Sequence, residues 1–522
     1  VDDTPNYTLD EYKFITIYRN SGEITFDIYD DHNPNAAKKF VYRINKAIDN
    51  NNYLKFEFET DTDFVGWIRY YDAKDPSKAN TEKFFVRKGD TEFKTFLDSF
   101  RAGAFGNFEN KVIDTITFQG VDNTKAGKMT FKSLGMSNRT YSRDKMYIDD
   151  GTIKLGTSVN YGGSIEWLER IDINIVEYID AGGNVRIDKD IDPNMIDEPR
   201  LISSSVNMVN TFDLGREVQP SYYLNVDKEH NGYDPKTPYA YDSLSGKPEY
   251  NPIQCGGVGD IDNGIITEPQ VIDFEYKKDH IYVKTKGQDW MFVNDQAEGY
   301  IEVNYHFGED GVLVVDNSYT DFYQFIGLNS IDNPMSGQET PATYFVYPLN
   351  YFYCQTKTRT INDPYVGPIA HGQISIEDPS TTIPSANQYY YALKAANMKN
   401  NCDWVAYVND QRFGAGIYMP NADYYIGSRG QFTTAYSAPQ NHNYTERFYH
   451  FGEDLVPSYA AANYDYINPQ LRRRMVEFIP LEYQYALFIG DVSEMSDAFE
   501  NAKANGLNND NLTMLEGTWP KK

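Results

Sequence analysis

FVGWIRYY, residues 64–71, alternates along its length as a half-buried strand does, and the reading of the whole first third of the chain follows from it. In an extended backbone Trp67 and Tyr71 share one face and Tyr70 the other, so one set belongs to a core and the other can face a ligand. Working outward, KFITIY (13–18), EITFDIY (23–29), LKFEFET (54–60), KFFVR (83–87), VIDTITFQG (112–120) and KMTFKSLGM (128–136) carry the same period. NSG (20–22), DNNN (49–52) and RKGD (87–90) read as the turns between them, and NAAKKFVYRINKAI (35–48) reads as a helical patch. Many short strands at this spacing predict a β-jelly roll over residues 1–140.

A second unit, 141–522, follows. DDGTIKLGTSVNYGGSIEWLERI (149–171) reads as two strands around a turn at Gly162 and Gly163, and NVRIDKDIDPNMIDEPR (184–200) is a polar, acidic stretch. A loop dense in Pro, Gly, Asn and Asp runs from Asp227 to Gly264. Strands resume with VIDFEYKKDHIYVKTKG (271–287), GYIEVNYHFG (299–308), GVLVVDNSYT (311–320), YFVYPLNYFYC (344–354), WVAYVND (404–410), FGAGIYMP (413–420) and LEYQYALFIGD (481–491). SEMSDAFENAKANG (493–506) reads as a closing helix stopped by Gly506. The expected fold is all-β: a jelly-roll sandwich followed by a large antiparallel sandwich of two stacked sheets.

Composition narrows the partners. The 522 residues include 44 tyrosines, apolar on the ring and wet at the hydroxyl, which suit half-buried sheets and polar ligand surfaces. The net charge is −28; residues 1–140 hold 22 acids and 20 bases, which leaves 54 and 28 for the remainder. So negative a body repels polyanions, and nucleic acid is not an expected partner. Acidic polysaccharides are disfavoured too, unless a local basic cleft or a metal intervenes. No run of about 18 apolar residues is present to span a membrane. The chain begins at Val1 without a charged-then-apolar leader, as either a processed secretion signal or a trimmed chain would. Cys255, Cys354 and Cys402 could form one bridge or remain buried thiols, so they do not fix the compartment.

Five segments of the second unit carry chemistry. In NTFDLGREVQPSYY (210–223) alternation fails: Asp213, Arg216, Glu217 and Gln219 crowd a stretch that Gly215 lets bend and Pro220 withdraws from pairing. Such mixed donors and acceptors suit a neutral sugar, although Arg216 could simply hold Asp213 or Glu217. EYNPIQCGGVGDIDNG (249–264) sets Asn251, Gln254 and Asp260 among four glycines; Asp260 and Asp262 could ligate a structural calcium or serve turn chemistry. GQETPATYFVYP (337–348) places Glu339 at the start of a strand, with Tyr344 and Tyr347 beyond it. Trp404 opens the strand of NNCDWVAYVNDQRFGAGIYMP (400–420), and His442 lies among polar neighbours in AYSAPQNHNYTERF (435–448).

Two resemblances bear on these segments. FVGWIRYY, TITFQG and KMTFKSLGM resemble the β-jelly-roll modules of secreted carbohydrate-active enzymes, which implies Trp67 and Tyr71 as sugar platforms. NTFDLGREVQPSYY, YNPIQCGGVGD, QETPATYF, DWVAYVNDQRFGAGIYMP and YQYALFIGD, spread over 150–492, are similar to a group of largely uncharacterised secreted β-sandwich proteins found beside polysaccharide-degrading enzymes. That group has Gln at the place of Glu217, which implies that Glu217 is not essential, and a shorter stretch at CGGVGD. The resemblances imply an extracellular or cell-surface setting and a carbohydrate partner. HExxH, CxxC, GxSxG, Walker and GxGxxG patterns are absent. Carboxylates, amides and aromatics remain, the equipment of a glycoside hydrolase that needs no cofactor. Its expected catalytic pair is Asp213 and Glu339, with Glu217 and Asp260 in reserve. Arg216, Gln219, Tyr222, Gln254 and His442 would contact hydroxyls, and Trp404 would wall a subsite. Two rival readings stand beside it: a polysaccharide lyase using Tyr222 or His442 with Arg216, and a non-catalytic glycan-binding or cell-surface protein.

Overall fold

A computed structural model describes residues 15–26, 40–48, 51–97, 111–121, 126–139, 145–196, 200–210, 218–224, 251–254, 258–260, 265–267, 269–289, 299–308, 311–322, 338–346, 348–349, 351–355, 365–368, 388–394, 404–422, 424–431, 463–471 and 478–508. The chain forms two compact units, one of Val1–Ser142 with Gln270–Asp273, the other of Arg143–Pro269 with Phe274–Lys522.

The first unit is the expected jelly roll. Among the described residues eight strands are dealt between two antiparallel sheets, one ordered Ile15–Phe26, Gly127–Ser137, Tyr53–Thr60, Glu92–Phe96, the other Phe40–Ala47, Lys111–Gly120, Phe64–Asp72, Asp75–Val86. The core between them is aromatic: Phe84 stacks on Phe56 at 5.3 Å and on Phe93 at 4.8 Å and meets Phe118 edge-on at 6.1 Å. Asp273 is fastened to this unit by the Tyr53 hydroxyl at 2.7 Å and by Arg139 Nη1 at 2.8 Å. FVGWIRYY behaves as its alternation predicts: Tyr70 is buried, and Trp67 and Tyr71 are half-exposed on the opposite face.

Two expectations fail here. Residues 40–47 of the predicted helical patch form a strand, because Tyr42 and Ile44 alternate inward while Val41 and Arg43 stay in water. Tyr42 packs 5.0 Å from Phe131, and that cross-sheet contact outweighs local helix propensity. NSG is not a turn: Ile15–Phe26 runs through it as one strand and absorbs it as a bulge between Arg19 and Gly22. RKGD does turn, with Gly89 at φ 89° and Asp90 N–H donating to Arg87 O.

The second unit is the large sandwich. A nine-stranded sheet, here the large sheet, runs in the order Gln270–Tyr276, His280–Lys286, Gly299–Phe307, Leu313–Asp321, Leu481–Asp491, Phe413–Tyr418, Trp404–Val408, Tyr351–Gln355, Tyr365–Pro368. A seven-stranded sheet opposes it: Gln288–Asp289, Asn251–Gln254, Val218–Leu224, Gln338–Val346, Asn463–Leu471, Tyr424–Gln431, Gln388–Lys394. Tyr222 of the second sheet ties the two, stacking on Tyr319 at 4.3 Å and meeting the Tyr483 hydroxyl at 2.9 Å. A smaller sheet of Met146–Asp149, Ile153–Thr157 and Ile165–Arg170 backs the same inner face. Its Gly163 has φ 83°, accepts the Tyr305 hydroxyl at its carbonyl and leaves no room for a Cβ beside Val303 and Val283.

The closing helix, Val492–Ala504, starts from a capping box of Asp491 and Glu494 and ends before Gly506 at φ 101°. It lies on the outer face of the large sheet, with Phe499 against Trp404 at 5.5 Å. Within the loop expected from Asp227 to Gly264, Asn251–Gln254 and Val258–Asp260 are strands. Pro220 does not stop pairing: it sits at a register shift between Gln219 and Ser221 while the strand pairs on both sides.

Candidate functional site

Strand parity builds a polar floor on the outer face of the large sheet. In GYIEVNYHFG, Ile301, Val303 and Tyr305 point to the core, so Glu302, Asn304 and His306 point out. In the neighbouring strand Val315 and Tyr319 are core, so Asp316 and Ser318 point out; in the next, Glu482 and Gln484 do. Register aligns these in rows: Lys284, Glu302, Ser318 and Glu482 across four strands, then Tyr282, Asn304, Asp316 and Gln484, with His280 opposite His306 beyond them.

These rows, apart from Lys284 and His306, floor a hollow of about 640 Å³, with Glu275 on one side and Asn508, just past the helix, on another. The next outward residues of Leu481–Asp491 are Ala486 and Phe488, both buried. The strand's outer face thus turns from polar to apolar where the helix begins to cover it.

Asp316 is the best-held group in the hollow. Gln484 Nε2 donates to it at 2.6 Å, Asn304 Nδ2 at 3.1 Å, and His306 Nε2 lies at 3.2 Å. Burial pushes its carboxyl up, but His306, Gln484 and Asn304 outweigh that and hold it below the ordinary value. The bond to Asp316 in turn raises the His306 imidazole against the opposing effect of burial. Glu302 accepts the Tyr282 hydroxyl at 2.7 Å and has the Lys284 ammonium at 3.5 Å. Glu275 lies 3.4 Å from His280 and pairs with Lys277; burial raises its carboxyl, and these two neighbours bring it net below the ordinary value.

Those residues expected from sequence that the structure describes are not among the lining of this hollow. Asp213, Arg216, Glu217, Asp262 and His442 lie outside the described residues. Glu339 is on the opposing sheet, half-buried, and accepts the Tyr466 hydroxyl at 2.8 Å; Tyr466 receives Asn468 Nδ2 at 2.8 Å. Gln254, Ser221, Glu339 and Gln470 share one cross-strand row of that sheet, so the backbone does bring Gln254 and Glu339 together. Gln219, buried, lies in the strand beside Glu339. Tyr222 points the other way, sealed between the sheets, which leaves it no open face for a sugar. Trp404 is 1 % exposed, stacked on Tyr353 at 5.0 Å beneath the helix, and so walls a core and not an open subsite. Asp260 ends the hairpin strand Val258–Asp260. Among the described residues no group of three or more His, Cys, Asp or Glu is arranged to hold a metal ion.

Sequence reading missed Glu302, Asp316, Glu482 and His306. The signal was present in the outward positions of three strands that neighbour one another only in the fold.

No family model matches the chain, and no curated protein does. Among solved structures it is similar to the GalM/aldose epimerase homologue from C. elegans, at 8 % identity over 66 % of this chain and 99 % of that one, with a TM-score of 0.30. At that score the likeness carries no functional weight.

Proposed function

We propose that the second unit is a glycoside hydrolase acting on a mostly neutral poly- or oligosaccharide, with the outer hollow of the large sheet as its active site. One observation supports this above the others: Glu302 and Glu482 face each other across Ser318, in a hollow whose floor offers both donors and acceptors. Two strand spacings separate their backbones by roughly 9.5 Å. The Glu302 carboxylate is held by Tyr282 and Lys284, on the strand away from Glu482, so the two carboxyls lie at least at the upper end of the range of about 6.5–9.5 Å used by inverting enzymes. Glu302, beside Lys284 and under the Tyr282 hydroxyl, would activate water. Glu482 would protonate the leaving oxygen. Asn304, Gln484 and Asp316 would bind hydroxyls, and a secreted or cell-surface setting goes with such a substrate.

The lining argues against the lyase reading for this hollow. It includes Glu275, Glu302, Asp316 and Glu482, and neither lysine nor arginine is among the described lining residues. A uronate carboxylate would meet repulsion where a lyase needs a cation.

The test is release of reducing ends from a panel of neutral polysaccharides by the wild type, Glu302→Gln and Glu482→Gln. Loss of a catalytic carboxylate should lower turnover at least ~100-fold with the fold intact. Near-normal turnover in both variants removes the pair. Binding without turnover in the wild type favours the non-catalytic reading.

A further inference from the structure

The hollow repeats itself from strand to strand. Three consecutive strands of the large sheet each present two outward side chains, two residues apart: Glu302 and Asn304, Ser318 and Asp316, Glu482 and Gln484. Register sets Glu302, Ser318 and Glu482 in one row and Asn304, Asp316 and Gln484 in the other. The rows are roughly 7 Å apart along the strands, and successive pairs roughly 4.8 Å apart across them. Every pair is one carboxylate with one amide or hydroxyl, so every strand offers both acceptors and donors. On the next strand Tyr282 continues the second row, and Glu275, on the strand beyond that, also lines the hollow. From Leu481–Asp491 to Gln270–Tyr276 there are four strand spacings, or roughly 19 Å.

We infer that the hollow binds a linear glycan laid across the strands, one sugar to a strand, its units joined by equatorial bonds. This rests on the reading of the hollow as a glycan site and adds how the chain lies and where it is cut. A pyranose joined through equatorial bonds advances its chain by about one strand spacing per unit and keeps it extended. Axially joined units curl away from so long a row. Each of the three central rings then meets its own carboxylate and its own amide or hydroxyl, one on either edge, which matches hydroxyls that both donate and accept. A ring over Ser318 has neighbours over both flanking strands, so the cleaved bond lies inside the chain. Water adds across that bond, leaving a reducing end on one fragment and a hydroxyl on the other. Tyr282 and Glu275 serve units remote from the cut.

Titration calorimetry on the full chain carrying Glu482→Gln tests it, with cello-, manno- and xylo-oligomers of increasing length and malto-oligomers as the curled control. In one extended series affinity should climb at least ~10-fold from two units to four and level off past about five, while the malto series stays flat. Adding Glu275→Ala should weaken the five-unit oligomer about 3-fold and the two-unit one less than about 2-fold. Melting should change little, because the Glu275 side chain is 47 % exposed. With the wild type, the viscosity of the matching polysaccharide should fall before reducing ends accumulate. Affinity that ignores length, a malto series that climbs as steeply, wild-type binding of the five-unit oligomer by the Glu275 variant, or no binding at all overturns the inference. So does release of sugars from chain ends alone, which leaves the hydrolase reading in place. A climb in an extended series with no reducing ends released by the wild type supports the lie of the chain and overturns the hydrolysis, so the two readings fail separately.

Discussion

Asp316→Asn removes the negative charge that organises the hollow while keeping the shape of the side chain. The aspartate takes hydrogen bonds from Gln484, Asn304 and His306. The amide can accept at only one oxygen and turns its NH₂ toward another donor, so at least one bond becomes a donor–donor contact. A bond to a buried charge contributes about 1.5–3 kcal/mol. The Asp316 and His306 side chains are 36 % and 37 % exposed, so solvent screening cuts the ionic share to below about 1 kcal/mol. A total loss of about 2 kcal/mol follows, or about 3–5 °C in the melting of a unit this large. The sign with pH is fixed by the two partners. Asp316 is lowered when folded, so its contribution is complete above the ordinary carboxylate value of 3.8 and is lost as pH falls through its folded value. His306 is raised when folded, so its contribution is complete below 6.5 and is lost as pH rises through its folded value. Calorimetric melting of wild type and variant should therefore differ most between roughly pH 4 and 6.5, narrow by the ionic share alone as pH rises past that window, and converge as pH falls below it. A difference that stays flat from pH 4 to 9, or no difference at all, would refute the clamp.

Other expectations follow from single contacts. Gly163→Ala forces a side chain onto φ 83° with Val303 Cγ2 at 2.7 Å, and should cost about 2–4 kcal/mol in denaturant unfolding and weaken glycan binding through the strand carrying Glu302. Glu177 is pushed by burial up to about 7, so the folded state holds a proton that the unfolded state releases between pH 4.5 and 7, and stability falls across that span. Glu177→Gln should match wild type near pH 4.5 and exceed it by up to about 3 kcal/mol at pH 8. Tyr222→Phe removes the hydroxyl contact to Tyr483 and should cost about 1 kcal/mol in unfolding while leaving glycan affinity unchanged.

The architecture was legible because alternation is local. FVGWIRYY assigns its own faces, and the shift of KMTFKSLGM and its neighbours between core and water repeats that assignment strand by strand. Where local signals competed, packing decided: Tyr42 against Phe131 makes 40–47 a strand, and a bulge carries Ile15–Phe26 through a turn motif. The site was less legible. Motif reading favours crowded polar segments such as NTFDLGREVQPSYY, whereas the hollow draws single outward residues from strands at 299–307, 313–321 and 481–491. Each looks like an ordinary solvent-facing residue until register sets Glu302, Ser318 and Glu482 in line. Tyr222 and Trp404 show the converse: aromatic residues in a chain rich in tyrosine are first of all core.

The most direct measurement is a crystal structure of the protein soaked with a neutral oligosaccharide selected from the polysaccharide panel. The account predicts a sugar ring over Ser318, between the Glu302 and Glu482 carboxylates, with hydroxyls within hydrogen-bond reach of Asp316 or Gln484. A well-ordered oligosaccharide bound only elsewhere, with the hollow of the large sheet filled by solvent alone, would contradict it.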